Sequence, residues 1–101
     1  MAKLYISEYS EAPIGFNGQM LAAGKEPSVL EQTPVVIGAG SLQSAAFDAK
    51  TKFVRIHTDA ICSISFGSNP TATVNTKRLA ANSTEYFGVI AGQKVAVITN
   101  T

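Results

Sequence analysis

From Lys52 onward, apolar and polar residues alternate in short runs. Lys52–Thr58, Ile61–Phe66 and Glu85–Thr99 are divided by turn-forming residues: Thr58-Asp59, Gly67-Ser68-Asn69-Pro70 and Ala91-Gly92. Within Ile61–Phe66, Cys62, Ile64 and Phe66 fall on one side and Ser63 and Ser65 on the other. Within Phe53–Thr58, Val54 and Ile56 oppose Phe53, Arg55 and His57. Successive side chains of a strand point to opposite faces, so this period of two predicts antiparallel strands with one dry face, and no helix.

The rest of the chain adds to the set. Lys3–Ser7 reads as a first strand, Gln32–Ile37 and Leu42–Phe47 as two more, Thr71–Val74 as a short edge strand, and Glu85–Val89 and Lys94–Thr99 as the last pair. Lys77–Asn82 reads as a brief turn or strand. Residues 9–31 lose all periodicity and are dense in Gly and Pro, the composition of turns and extended segments. Pro27–Glu31 has the makings of one helical turn with Pro at its first position. The same stretch carries Ile14, Phe16, Met20, Leu21, Val29 and Leu30, which need cover. It either folds over a sheet face or docks as an arm on a neighbouring subunit. About eight short strands, with a turn every ~8–12 residues, predict a single all-β domain over residues 1–101, first as a jelly-roll-type antiparallel β-sandwich. An immunoglobulin-like sandwich comes second, because its Cys…Trp…Cys hallmark is missing from a chain with one Cys and no Trp.

Composition narrows the function classes. Only 15% of the 101 residues are charged, against roughly a quarter in ordinary soluble domains. Either part of the surface is covered in the working state, or it is built from Ser, Thr, Asn and Gly. The net charge is +1 and the basic residues are scattered, too thin for the phosphate neutralisation that nucleic-acid binding requires. No apolar run approaches the ~20 residues of a membrane span, and Glu8 sits where a signal peptide would need its apolar centre. The expectation is a soluble protein made in a cytoplasm, with no nucleic-acid or membrane partner.

Candidate chemistry is sparse. His57 is the single histidine; Ser63, Ser65 and Asp59 are near it in sequence, but residues adjacent along strands do not converge on one substrate. One His and one Cys, at 57 and 62, do not make a zinc site. Cys62 falls among apolar residues and reads as a buried small hydrophobe. Asp48 and Asp59 lie in predicted turns, where Asp bonds nearby backbone N–H groups. Glu8, Glu11, Glu26, Glu31 and Glu85 are spread out, so acid–base chemistry would need two of them to meet across the fold. Gly38-Ala39-Gly40 lacks the third glycine and the following helix of a dinucleotide loop, and reads as a turn. Asn82-Ser83-Thr84 matches a glycosylation acceptor by chance. Phe66, Tyr86 and Phe87 read as packing residues rather than a stacking platform. No catalytic, cofactor-binding or metal-binding residue is expected.

One longer pattern spans the C-terminal half. It comprises Val54–Thr58 ending in an Asp59 turn, Ile61–Phe66 ending in Phe66-Gly67, then Asn69-Pro70-Thr71-Ala72-Thr73, Arg78-Leu79-Ala80-Ala81-Asn82, Glu85–Val89, and a closing strand led by Gly92. This pattern resembles small virion structural proteins of tailed bacteriophages, of the capsid cement or decoration type. The resemblance implies a jelly-roll sandwich that binds the major capsid protein on the virion surface, stabilises the head, and acts as a dimer or trimer. It implies no catalytic residue and no cofactor. A head–tail or tail accessory protein of the same fold is a close variant. A small carbohydrate-binding β-sandwich for host attachment is the alternative of a different class, and would need an exposed aromatic platform. An enzyme would need a cleft joining His57 to two carboxylates.

Overall fold

The computed structural model describes residues 2–11 and 26–100. The expectation that Ile14, Phe16, Met20 and Leu21 cover a sheet face or a neighbour falls outside the described residues. Nine strands are formed among the described residues: β1 (Lys3–Tyr9), β2 (Leu30–Glu31), β3 (Val35–Val36), β4 (Leu42–Gln43), β5 (Phe53–Thr58), β6 (Cys62–Gly67), β7 (Lys77–Leu79), β8 (Thr84–Gly88) and β9 (Lys94–Thr99). All pair antiparallel. One sheet has the order β2-β1-β5-β8, with β3 also on β1; the other has the order β4-β9-β6-β7. This is the all-β, two-sheet sandwich that the alternation predicts.

Register explains how the two dry faces meet. In the first sheet Ile6 pairs with Ile56, Leu4 with Thr58, and Val54 with Phe87. In the second, Ile64 pairs with Val97, Phe66 with Val95, and Cys62 with Leu79. These side chains form one core, in which Leu4, Val54, Ile56, Cys62, Val95 and Val97 have no exposed surface. Burying each large aliphatic side chain contributes about 1.5–3 kcal/mol. Phe66 and Phe87 join the sheets near one end, ring centroids 5.2 Å apart, and the Lys77 ammonium lies over Phe87 at 5.7 Å.

Three segments depart from the predicted strands, each because long-range bonds override local pattern. Pro27–Glu31 forms no helical turn: Val29 N–H donates to Glu8 C=O (2.7 Å), and Leu30 and Glu31 pair with Glu8 and Ser7 as β2. The predicted strand Gln32–Ile37 is kept only at Val35–Val36. Between the pairs Ser7–Glu31 and Leu4–Val35, β1 advances three residues and its partner four, so one residue is extra. Pro34, which has no N–H, lies in that bulge. The predicted strand Leu42–Phe47 narrows to Leu42–Gln43. Ser44 and Phe47 still donate to the Val95 and Gln93 carbonyls (both 2.8 Å), but alternation fails because Ser44 and Phe47 are both buried.

Thr71–Val74 is likewise not a strand. It belongs to the β6–β7 loop, which crosses the outer face of the second sheet. Gln43 Nε2 donates to Asn69 Oδ1 (2.9 Å) and Pro70 C=O (2.8 Å), Ala72 N–H donates to Ser41 Oγ (2.9 Å), and Asn100 Nδ2 donates to Ser63 Oγ (2.7 Å) and Val74 C=O (3.3 Å). Ser63 and Ala96, on that outer face, are fully buried in consequence. The last turn holds Gly92 at φ 85°, with Gln93 N–H donating to Ile90 C=O (3.1 Å); this is the third position of a turn that favours glycine. The two sheets therefore differ on their outer faces: the second is covered by its own loop, while the first carries an open groove.

Candidate site on the outer face of the first sheet

The alternation that sends Leu4, Ile6, Val54 and Ile56 inward sends Tyr5, Ser7, Tyr9, Phe53, Arg55 and His57 outward. Strand pairing then sets these residues in transverse rows. One row reads Glu31, Ser7, Arg55, Tyr86; the next reads Tyr5, His57, Thr84; a third pairs Tyr9 with Phe53. Cross-strand neighbours on one face of an antiparallel pair are close enough to interact, and here they do. Tyr5 and His57 rings lie 6.2 Å apart and tilted, Tyr9 stacks on Phe53 at 5.5 Å, and Phe53 lies 6.1 Å from Tyr86.

A shallow groove of about 480 Å³ opens in this face, lined by Tyr5, Ser7, Glu31, Arg55, His57 and Asp59. Most of its polar groups are held in place. Glu31 accepts from Ser7 Oγ (2.5 Å) and from Ser28 Oγ, Asp59 Oδ2 accepts from Lys3 N–H (3.2 Å), and His57 Nδ1 is paired with Thr84 Oγ1 (2.8 Å). Arg55 is the exception. It is half-buried, and among the described residues its guanidinium makes no ion pair and no hydrogen bond. Tyr5, which lines the groove, is 41% exposed; Tyr86, next to Arg55 in strand register but outside the groove lining, is 38% exposed.

Beneath the same strand lies a buried carboxylate. Glu8 follows Leu4 and Ile6 on the inward face and has no exposed surface. It accepts from Thr51 Oγ1 (2.6 Å), Gln32 Nε2 (2.7 Å) and Asp48 N–H (2.8 Å). Gln32 in turn exchanges bonds with Ala45, accepting its N–H (3.1 Å) and donating to its C=O (3.2 Å). Glu8 thus ties the bulge after β2 to the 45–51 segment, and the described residues contain no buried side-chain polar atom without a partner. At the rim, Tyr9 Oη donates to Glu26 Oε2 (2.5 Å). Burial, then that bond and the charges of Glu26 and Glu31, push the Tyr9 hydroxyl up to about 12.

The residues singled out from sequence are dispersed. His57 and Asp59 do reach one groove, but Ser63 and Ser65 lie on the outer face of the other sheet, so no serine–histidine pair forms from them. Asp48 caps its own turn, accepting from Lys50 N–H (2.9 Å). Cys62 is buried; burial pushes its thiol up, and the bond to Thr58 Oγ1 (3.5 Å) only opposes this. No cluster of His, Cys, Asp or Glu among the described residues is arranged to hold a metal ion. Tyr86 is not a packing residue, as the alternation sends it outward, while Phe66 and Phe87 do pack against the core. Tyr5, Ser7, Glu31 and Arg55 were not legible as members of one site, since they meet only through the β2–β1–β5 register. The signal that was available is the odd-numbered series Tyr5-Ser7-Tyr9 set against Phe53-Arg55-His57.

The groove joins His57 to two carboxylates, Glu31 and Asp59, the combination that an enzyme would need; each carboxylate accepts from a neighbouring hydroxyl or backbone group and keeps further lone pairs towards the open groove. No family model, curated protein or solved structure matches this chain.

Proposed function

We propose that this chain is a structural protein of a bacteriophage virion that binds the major capsid protein and reinforces the head. The observation that carries this reading is the seam where β2 and β3 face β4. These are terminal strands of their sheets, and among the described residues their outer edges are unpaired. Between them lies a groove of about 460 Å³ walled by Pro34 and Val35, with Leu30 42% and Leu42 48% exposed beside it. Terminal strands offer free N–H and C=O groups for strand addition, and half-exposed leucines supply apolar area at the same place. Low charge over the chain suits a surface covered by neighbours. The order in which the chain crosses between the sheets, with β4, β6, β7 and β9 in one and the remaining strands in the other, supports the jelly-roll topology of the resemblance.

On this reading a rigid sandwich adheres to an assembled lattice through many modest contacts. Because it binds the lattice and not its dissociated subunits, it stabilises the lattice by mass action. A dimer or trimer of the chain would multiply these contacts. The test is rebinding to shells stripped of the protein. Leu30→Asp combined with Leu42→Asp is expected to abolish occupancy while leaving the thermal midpoint of the free chain unchanged; undiminished occupancy would overturn the proposal.

A further inference from the structure

The outer face of the first sheet is separate from the seam, and its chemistry is different. We propose that the groove lined by Tyr5, Ser7, Glu31, Arg55, His57 and Asp59 is a binding site for a neutral sugar, a pyranose unit of a glycan. This inference does not depend on the head-binding reading.

Charge selects the ligand first. The groove holds one fixed cation, Arg55, against two carboxylates, Glu31 and Asp59. An anion would meet both carboxylates, and a metal cation would meet the guanidinium. A wholly apolar ligand would strip water from three ionised groups without replacing their hydrogen bonds. A neutral polyol meets none of these penalties. Its hydroxyls accept from the Arg55 fork, which has five N–H donors and no partner among the described residues. They donate to Glu31 and Asp59, whose oxygens each retain lone pairs beyond the single bonds they accept.

Shape and apolar area select further. The groove volume of about 480 Å³ lies within the ~300–1,000 Å³ of small-molecule sites. The exposed Tyr5 forms an aromatic wall of the groove. A pyranose is itself two-sided, with a rim of hydroxyls and a face of C–H groups, and that face fits an aromatic wall. Apart from Arg55, the polar groups are already held before binding: Glu31 by Ser7 and Ser28, His57 by Thr84, Asp59 by the Lys3 backbone. Fixing them in advance lowers the ordering cost of binding.

The experiment is a two-dimensional NMR titration of the isotopically labelled chain with maltose, lactose, cellobiose and chitobiose, with glucuronate and sialic acid as charged comparators. At least one neutral disaccharide is expected to shift the resonances of Tyr5, Ser7, Arg55, His57 and Asp59, with both acids weaker. Arg55→Ala and Tyr5→Ala are each expected to weaken binding by about tenfold or more, as loss of a charged hydrogen-bonding partner or of a ring wall implies. The spectrum's dispersion reports whether each variant is folded. Leu42→Asp, at the seam, is expected to leave binding unchanged. No shift with any neutral sugar, tighter binding of the acids, shifts confined to the seam, or cleavage of the disaccharide would each overturn the proposal. Absence of the chain from capsids would leave it standing.

Discussion

Glu8 shows how much one residue decides. A carboxylate in line with Leu4 and Ile6, and without exposed surface, is tolerated because Gln32, Asp48 and Thr51 all donate to it. Removing it leaves three donors facing a void, and an unmet buried donor costs ~1–3 kcal/mol. Glu8→Ala is therefore expected to lower unfolding free energy by more than about 2 kcal/mol in urea titration, while Glu85→Ala on the exposed β8 stays within about 0.5 kcal/mol. Tyr9 gives a second residue-scale outcome. Its hydroxyl pKa, about 12 in the folded chain against 10.0 ordinarily, means the fold holds that proton more tightly than the unfolded chain. The stabilisation is whole below pH 10 and is lost as pH rises through 12. Ultraviolet titration is expected to show one of the three tyrosines ionising late, and Tyr9→Phe to abolish that late step. Glu8 was within reach of sequence parity, since Leu4, Ile6 and Glu8 alternate. Its three partners were not, because Gln32, Asp48 and Thr51 come from distant segments.

Elements were legible where alternation alone governs them. Phe53–Thr58 and Lys94–Thr99 have the bounds that the pattern predicts, because each is paired on both sides and turns buried aliphatic side chains to the core. Segments at the margins followed tertiary bonds instead. Residues 27–31 follow β1 rather than their own helical tendency, and 69–74 follow Ser41, Gln43 and Asn100 across the second sheet. That covering loop makes Ala96 a core position on a face that parity assigns to solvent. Ala96→Leu is expected to cost about 1–3 kcal/mol by overpacking, measured as a fall in the urea midpoint, and to loosen hydrogen-exchange protection across 70–75. An unchanged midpoint would mean that the loop lifts freely from the sheet.

At the scale of the whole molecule the sandwich is asymmetric. One side presents a seam of short terminal strands with half-exposed leucines, one sheet is roofed by its own loop, and the opposite sheet shows an aromatic and charged face. Adhesion is proposed for the seam and glycan recognition for the open sheet. The alternation along the chain made the sandwich legible, but the residues that share the open face meet only through the register between β1 and β5. The proposed adhesion at the seam is tested most directly by a reconstruction of phage particles incubated with the purified chain. Density for the sandwich is expected to repeat over the shell lattice, with Leu30 and Leu42 turned to the major capsid protein and Tyr5 and Arg55 turned outward. Density confined to the tail, or a lattice contact made through the Tyr5–Arg55 face with the seam in solvent, would contradict it.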